Sequence, residues 1–257
     1  MAEHITSLFI KNNLNTRIIG QKVLYFPTLP STMDTAREQA RRGAVEGSAI
    51  IAGEQTVGRG RLQRSWLSPK GNIALSIILR PGIASLPYLI MIASLAAARS
   101  IEAVTGQKTQ VKWPNDILIE GKKVCGILIE NEFKGNKCEF AIIGVGINTD
   151  LKVAVYKEIA DTAVSLSSVP GVNLRLKLIQ ELLTEFEVLY LTLPNGQPIY
   201  QEWRSRLVTL GKKVKATWGG QVIEGTAETV DESGALFIRD GGGEVRKVVV
   251  GDVTLRE

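Results

Sequence analysis

One segment of the chain reads Val57-Gly58-Arg59-Gly60-Arg61-Leu62-Gln63-Arg64-Ser65-Trp66. Glycine lets backbone N–H groups approach an anion because it has no Cβ. Arginine supplies permanently charged, forked donors for phosphate and carboxylate oxygens, and tryptophan adds a flat apolar face that can cover a ligand. We interpret the segment as a flexible anion-binding loop with an aromatic lid.

The runs on either side of this loop, at 48–53 and 73–79, are apolar and predict strands of a folded core. The other interpretations of a Gly-Arg segment are a disordered RNA-binding tract and a solvated basic surface. Disordered tracts of this type are long and of low complexity, whereas this segment is short. The solvated basic loop therefore stays as the main alternative to a ligand-binding loop.

The composition is that of a soluble globular protein, with 257 residues, 44% of them apolar and 22% charged. The formal net charge of +5 suits anionic ligands but falls short of the dense basic stripes of nucleic-acid-binding proteins. The two cysteines, Cys125 and Cys138, lack metal-site spacing and indicate a reducing compartment. Residues 1–20 have no positively charged segment followed by an apolar one, so we expect no secretory signal, and the most apolar run, 86–98, is shorter than a membrane span. We therefore expect a cytoplasmic protein without metal ligands of its own.

Short apolar runs predict strands, and amphipathic spacing predicts helices. The strands are expected at 23–26, 48–53, 73–79, 109–113, 117–119, 124–130 and 140–146, and the helices at 36–42, 85–105, 174–193 and around Ile199, Trp203 and Leu207. Tight turns between the runs indicate antiparallel hairpins rather than a βαβ series. The predicted fold class is α+β, a mixed and largely antiparallel sheet with flanking helices.

The pattern changes at Gly211, where short β runs separated by glycine-rich turns begin and predict a small β-barrel. We place a domain boundary near Leu210. The predicted organisation is an N-terminal tail over 1–20, a main domain over 21–210 and a C-terminal β domain over 211–257.

A second group of polar residues occupies a rigid corner, Lys112-Trp113-Pro114-Asn115-Asp116. Pro114 restricts the backbone and forces Trp113 to be extended, so the polar side chains leave the strand end in fixed directions. A strand-ending turn would explain Pro-Asn-Asp alone, but a lysine, an amide and a carboxylate together favour a functional site. Lys123 begins the next apolar strand, where it either extends towards solvent or provides a point charge for an anion.

The start of the first helix, Ser31-Thr32-Met33-Asp34, has Ser31 or Thr32 as its N-cap and an acidic residue in the first turn. Capping alone explains the motif, although a helix N-terminus after a strand is also an anion site.

Several familiar site types are absent or incomplete. Gly144 and Gly146 give half of a dinucleotide-binding fingerprint, but the third glycine and the βαβ unit are missing, so the glycines mark a close approach instead. The single histidine, His4, lies in the predicted tail, which excludes Ser-His-Asp and Cys-His catalysis. No Walker A sequence occurs, which argues against a P-loop kinase or ATPase.

Taken together, these motifs resemble the biotin–protein ligases over roughly residues 20–150. The residues that carry the resemblance are Gly58-Arg59-Gly60-Arg61, Arg64, Trp66, Lys112-Trp113-Pro114-Asn115-Asp116, Lys123, Gly126-Ile127-Leu128, Glu130, Gly144, Gly146 and Asn148. The β domain after Gly211 resembles the SH3-like C-terminal domain of the family. The segment before the first strand is too short for the winged helix of relatives that repress transcription, so the resemblance implies the catalytic-only class.

The resemblance implies an ATP-dependent ligase that acts in two steps. Biotin and MgATP give biotinyl-5′-AMP and pyrophosphate, and a lysine of a biotin carboxyl carrier protein, such as that of acetyl-CoA carboxylase, then takes the biotin and releases AMP. It implies no nucleic-acid or membrane partner.

The resemblance also implies roles for individual residues. Biotin would be bound by Ser31, Thr32, Met33, Gln55, Arg59, Gly60, Arg61, Lys123 and Gly126, and ATP or the adenylate by Gly58, Arg59, Arg61, Arg64, Trp66, Asn115 and Asn148. The catalytic residues would be Arg61, Lys112, Asp116 and Lys123, with Asp116 accepting or steering the proton of the acceptor lysine. Met33 stands where the family usually has asparagine.

Two alternatives remain at this point. A lipoyl or octanoyl ligase would share the scaffold but need a different acyl pocket, and the Gly-Arg-Gly-Arg loop argues against it. A non-enzymatic nucleic-acid-binding module is disfavoured by the modest charge and by aromatic residues that are not interleaved with basic ones.

Overall fold

The computed structural model describes residues 5–166, 173–218, 221–249 and 251–255, so His4 lies outside it. Its larger sheet contains β1 (Val23–Phe26), β2 (Ala49–Ala52), β3 (Ile73–Leu79), β4 (Gln110–Lys112), β5 (Asp116–Ile119), β6 (Lys122–Lys134) and β7 (Lys137–Ile147). The strand order is β1-β2-β3-β7-β6-β5-β4. Only β1 and β2 pair in parallel, and the other neighbours pair antiparallel. The predicted α+β fold with a mixed, largely antiparallel sheet is confirmed.

Five α-helices accompany the sheet in the described ranges: α1 (Ser7–Lys11), α2 (Thr32–Arg41), α3 (Leu86–Thr105), α4 (Leu174–Leu191) and α5 (Gln197–Ser205). Because side chains alternate along a strand, β3 and β7 send Leu75 and Ile143 into the main core together with α3 and α4. Ile78 and Ile142 point to the opposite face, where they pack on α2. The sheet is thus sandwiched between two helical layers of unequal extent.

The face that α2 covers also carries three glycines. Gly126 of β6 pairs with Gly146 of β7, and Leu128 pairs with Gly144. Positions 144 and 146 have the same parity as Ile142, so they share its face of the sheet. Without side chains, this part of the face leaves open space beyond the first turn of α2.

Helix α3 is the central core helix. Together with the turn before it, it forms a 23-residue segment, Ile83–Thr105, that is long and apolar enough to cross a membrane. This segment corrects the expectation that the apolar run, taken as 86–98, is shorter than a membrane span, whereas the helix itself lies within the predicted range 85–105. Leu89, Ile92 and Ala96 have no exposed surface, and α3 packs on α4 and the sheet, so burial in the core accounts for its apolar character.

The N-terminal segment packs on the main domain. Ile10 and Ile19 are fully buried, and the backbone N–H groups of residues 17–19 donate to the Glu187 carboxylate at 2.6–2.8 Å. Glu187 is itself buried in α4, and these donors satisfy its charge. Residues 5–20 are thus ordered against the core, in contrast to the predicted tail.

The C-terminal part is a five-stranded antiparallel sheet, as expected for the small β domain. Its strands are β8 (Lys213–Trp218), β9 (Gln221–Val230), β10 (Leu236–Asp240), β11 (Val245–Val248) and β12 (Asp252–Leu255), in the order β11-β10-β9-β8-β12. The indole N–H of Trp113 donates to the Gly234 carbonyl at 2.8 Å, and the Tyr200 hydroxyl to the Val230 carbonyl at 2.7 Å. These two bonds fix the C-terminal sheet on the main domain; the boundary near Leu210 remains a prediction.

Candidate active site

A cavity of about 130 Å³ opens on the glycine-bearing face of β6 and β7, next to the first turn of α2 and under the loop 57–66. Most of the sequence-predicted site residues line it: Ser31, Thr32, Met33, Gln55, Arg59, Gly60, Arg61, Arg64, Trp66, Asn115, Asp116, Lys123 and Gly126. Gly58, Lys112 and Asn148 do not line it. Motifs that are up to about a hundred residues apart in the chain therefore converge on one space.

The three strand glycines make room for side chains that lie over the sheet. A Cβ on Gly126 would lie 2.9 Å from Trp66 Cζ3, and one on Gly146 would lie 2.5 Å from Trp66 Cε2. Carbon atoms in contact are normally about 3.5–4.0 Å apart, so any larger residue would push the indole away. The Trp66 Nε1 atom is buried without a hydrogen-bond partner among the described residues. Trp66 thus packs on a surface formed by Gly126 and Gly146, the glycine floor, where a larger residue would not leave room for the indole.

Polar groups gather where α2 begins. The Gln55 side-chain oxygen accepts hydrogen bonds from the Thr32 backbone N–H at 2.8 Å and from its hydroxyl at 3.0 Å. Ser31 occupies the N-cap position, but its side chain makes no capping bond, which corrects the expected capping role. Its Oγ is buried and has no partner in the described part of the chain. Since buried hydroxyls normally have partners, Ser31 is available to a ligand.

Met33 closes the apolar side of this region. Its side chain is buried, and its Sδ lies 2.6 Å from the position that a Cβ on Gly144 would take. Leu128 lines the cavity beside it. The cavity therefore has a polar corner at Ser31 and Gln55 and an apolar wall at Met33 and Leu128.

Arg59 is bound at the edge of the cavity by two carboxylates. Its Nη2 lies 2.5 Å from Asp34 Oδ1, and its Nη1 lies 3.3 Å from Glu130 Oε1. Arg37 shares both carboxylates. We name these four residues the sheet clasp, because they join the loop to α2 and β6.

Arg61 and Arg64 face the other side of the cavity. The Arg61 guanidinium donates to Asn115 Oδ1 at 2.9 Å and to the Gly251 carbonyl at 2.8 Å. Asp252 forms an ion pair with Arg64 and lies 3.9 Å from Arg61. Burial lowers the pKa of Arg61, and Asp252 and Asp116 partly offset this effect. We name Arg61, Arg64 and Asp252 the domain clasp, because Asp252 belongs to the C-terminal sheet.

Lys123 and Asp116 meet at the third side. Lys123 Nζ lies 2.6 Å from Asp116 Oδ1 and 5.3 Å from the centre of the Trp66 ring. Asp116 sits opposite Gly126 in the β5–β6 register, so the rigid corner delivers its carboxylate to the glycine floor. A cation, a carboxylate and an aromatic face are thus stacked within one side of the cavity.

The three predicted residues outside the cavity occupy supporting positions. Lys112 pairs with Asp116 in the β4–β5 register and is half-buried. The Asn148 amide donates to the Val164 carbonyl at 3.1 Å, while its Oδ1 has no partner in the described residues. The Gly58 carbonyl accepts the Trp66 backbone N–H at 2.9 Å, which closes the loop on itself.

Residues 25–148 match the family model of biotin/lipoate A/B protein ligases, and residues 209–256 match that of the biotin protein ligase C-terminal domain. The chain is 37% identical over 253 residues to the bifunctional ligase/repressor BirA of Bacillus subtilis, an alignment that covers 96% of this chain and 78% of that protein. The chain belongs to the biotin protein ligase family. It is also 32% identical over 209 residues to the biotin--[acetyl-CoA-carboxylase] ligase of Paracoccus denitrificans, covering 77% of this chain and 87% of that one.

A solved structure supports this membership. The biotin protein ligase of Aquifex aeolicus, in complex with biotin and ATP, superposes with a TM-score of 0.73 at 25% identity, over 92% of this chain and 99% of that one. The present ligase therefore shares both the sequence and the fold of its family, which argues against a non-enzymatic module as its function.

Sequence reasoning missed several residues of the ligase site. Asp252 had no signal in the sequence, because it reaches the cavity only through the packing of the C-terminal sheet. Asp34 and Glu130 were noted as a helix-start residue and a motif residue, but not as partners of Arg59. Gly144 and Gly146 were interpreted as close-approach positions, and what approaches them is Met33 and Trp66.

The donor set of the ligase does not form a metal cage. Among the described residues, no group of three or more His, Cys, Asp or Glu side chains could hold a metal ion. Mg²⁺ commonly keeps several waters and binds through substrate phosphates and one or two carboxylates.

Proposed function

We propose that this cavity binds biotin and ATP, forms biotinyl-5′-AMP and then transfers biotin to a lysine of a biotin carboxyl carrier domain. The observation that carries the proposal is the convergence of Arg61, Arg64 and Lys123 with the polar corner at Ser31 under the Trp66 lid. The Aquifex aeolicus relative is described with biotin and ATP, and the Leishmania major relative, 25% identical, with biotinyl-5-AMP. Those ligands carry negative charge, which the cations Arg61, Arg64 and Lys123 that line this cavity would attract.

The biotin end of the cavity would be the region around α2. The free Ser31 hydroxyl and the Gln55 amide provide hydrogen-bonding groups for a ureido ring, and Met33 and Leu128 provide an apolar surface for its sulfur-containing ring. Met33 has no amide, so recognition of the polar head would depend on Ser31, Thr32 and Gln55.

The adenylation step joins two anions. A biotin carboxylate oxygen forms a bond to the α-phosphorus of ATP, and the bond from that phosphorus to the bridging oxygen of pyrophosphate breaks. Arg61, Arg64 and Lys123 would offset the repulsion between the carboxylate and the polyphosphate, since fixed charges in a water-poor site stabilise developing charge strongly. Trp66 would shield the reactive anhydride from water. MgATP would bring its metal ion on the phosphates.

The transfer step needs a neutral amine. An acceptor lysine with a reference pKa of about 10.4 costs roughly 4–5 kcal/mol to deprotonate at pH 7. Asp116 is paired with Lys123, so it would become available to the incoming ammonium once Lys123 turns to the anhydride carbonyl. Lys112 would help to orient Asp116 from the neighbouring strand, and Asn148 would face the adenylate.

The acceptor is proposed from the names of the relatives, two of which are biotin--[acetyl-CoA-carboxylase] ligases from Paracoccus denitrificans and Mycobacterium tuberculosis. The carrier domain of acetyl-CoA carboxylase is therefore the proposed partner. We also propose a cytoplasmic location without a membrane or nucleic-acid partner, supported by two unpaired cysteines and a modest net charge.

Pyrophosphate–ATP exchange tests the first half-reaction. The exchange rate of the purified protein with magnesium is measured in four reactions, which contain biotin, lipoate, octanoate or no acid. Exchange with biotin alone is the expected result. Exchange with lipoate or octanoate would move the protein to lipoyl or octanoyl ligation, and no exchange with any acid from folded protein would refute the proposal.

A further inference from the structure

Asp252 brings a carboxylate of the C-terminal sheet into the proposed phosphate end of the cavity. It is the first residue of β12 and lines the cavity, and its side chain is 26% exposed. It pairs with Arg64 and approaches Arg61. A negative side chain in a site for a polyanion is unfavourable for binding unless it can leave.

Carboxylate and phosphate oxygens bind guanidinium groups through the same forked donors. The Arg64 donor that faces Asp252 cannot be given to a phosphate at the same time. Asp252 and the triphosphate would also repel each other in a partly buried site, where charges interact more strongly than in water. Asp252 therefore competes with a triphosphate for the same arginines.

The loop does not depend on Asp252 for its shape. Arg61 is held by Asn115 Oδ1 and by the Gly251 carbonyl. Arg59 is held by the sheet clasp, and the Gly60 N–H donates to the Arg64 carbonyl at 2.7 Å. Loss of the Asp252 carboxylate would therefore remove a competitor without unfolding the loop.

We propose that Asp252 is a positioning residue that takes the place of the phosphates on Arg61 and Arg64 in the ligand-free enzyme and releases both when a nucleoside triphosphate binds. The inference rests on the proposed function, because it requires a triphosphate in this cavity. It makes the C-terminal sheet a participant in nucleotide affinity through one side chain.

The experiment compares Asp252→Asn with wild type. Binding of α,β-methylene ATP, which cannot react at the α-phosphorus, is measured by calorimetry with biotin saturating, and the KM for ATP and kcat are measured by pyrophosphate exchange. We expect Asp252→Asn to bind the analogue about three- to tenfold more tightly and to lower the KM for ATP by a similar factor. The KM for biotin should be unchanged.

Three further variants separate charge from structure. Asp252→Glu keeps the charge and should retain wild-type affinity for the analogue. Glu228→Gln removes a carboxylate that pairs with Arg239 on the same sheet, outside the cavity, and should change neither affinity. Asp252→Ser provides a second neutral side chain if the asparagine variant does not fold, as judged by thermal unfolding.

Unchanged or weaker analogue binding in folded Asp252→Asn, with wild type active, would overturn this inference alone. Equal tightening in Asp252→Asn and Asp252→Glu would also overturn it, because the charge would then not be the cause. Failure of wild type to exchange pyrophosphate would instead refute the proposed function.

Discussion

The sheet clasp and the domain clasp bind the same loop through Arg59 and Arg61, which are two residues apart, but they do so in different ways. Arg59 meets two carboxylates, and with Arg37 the cluster contains two cations and two carboxylates, so its charge is balanced. On the other side, Arg61, Arg64 and Lys123 pair with Asp252 and Asp116, and within the described ranges these three cations and two carboxylates leave an excess of one positive charge. The difference separates an anchor from a site: the balanced cluster fixes the loop, and the unbalanced one attracts an anion.

The largest expected effect comes from removing the central cation of the unbalanced side. Arg61→Ala should slow adenylate formation by about 10²–10³-fold, because a fixed charge that stabilises the transition state is lost. It should also let biotinyl-AMP escape, which is measured by release of the intermediate from the enzyme in the absence of carrier. Arg41→Ala, which removes an exposed arginine paired with Glu132, is the matched control. An unchanged escape rate would argue that Arg61 is an anchor like Arg59.

The next effect concerns the carboxylate that faces Lys123. Asp116→Ala should slow transfer of biotin to the carrier lysine by about 10²-fold, the usual contribution of a positioned proton acceptor. Adenylate formation should change much less, because the positive excess of the site would rise. Single-turnover measurements of the two steps separate these outcomes. Equal slowing of both steps would contradict the role given to Asp116.

Breaking the balanced cluster should have a smaller effect. Arg59→Ala should raise the KM for ATP and the KM for biotin by about tenfold each, because part of the binding free energy is then needed to order the loop. Hydrogen exchange of the amides of residues 58–66 should become faster in the ligand-free protein. If kcat fell by far more than KM rose, Arg59 would belong to the reacting site.

The smallest effect should follow from removing one of the two carboxylates. Glu130→Gln leaves Asp34 on Arg59, so the loop should keep most of its protection and KM values should change by about twofold. Its comparison with Asp252→Asn tests the contrast directly. Glu130→Gln should weaken ATP binding slightly, whereas Asp252→Asn should strengthen it. If both variants changed the affinity for ATP in the same direction, the distinction between the two clasps would be wrong.

Sequence patterns predicted most of the fold because the central strands are short, continuous apolar runs that are buried along their whole length. The strands at 23–26 and 73–79 were predicted at the bounds of β1 and β3. The strands around 124–130 and 140–146 proved longer, since their polar outer residues pair with each other in the β6–β7 hairpin instead of turning. An apolar run detects the buried part of a strand and misses the exposed ends that only pairing stabilises.

The site was predictable wherever its residues lie next to unusual neighbours in the chain. The glycine–arginine loop and the corner at 112–116 stood out locally, and the arginines of the loop and Asn115 and Asp116 of the corner line the cavity. The partners of these residues did not stand out in the sequence. Glu130 reaches Arg59 through the sheet register, and Asp252 reaches Arg64 through the packing of the C-terminal sheet. The missing capping bond at Ser31 could not be predicted from the sequence either, since a serine can act as a cap or leave its hydroxyl free.

The buried bond from Trp113 to the Gly234 carbonyl has a consequence for unfolding. Trp113 and Trp203 belong to one core cluster with Val230 and Leu236 of the C-terminal sheet. Separating the two parts would expose that shared apolar surface and leave an indole donor unpaired, which is costly. We therefore expect heat or urea to unfold the main sheet and the C-terminal sheet in a single cooperative transition, with the two family segments behaving as one thermodynamic unit.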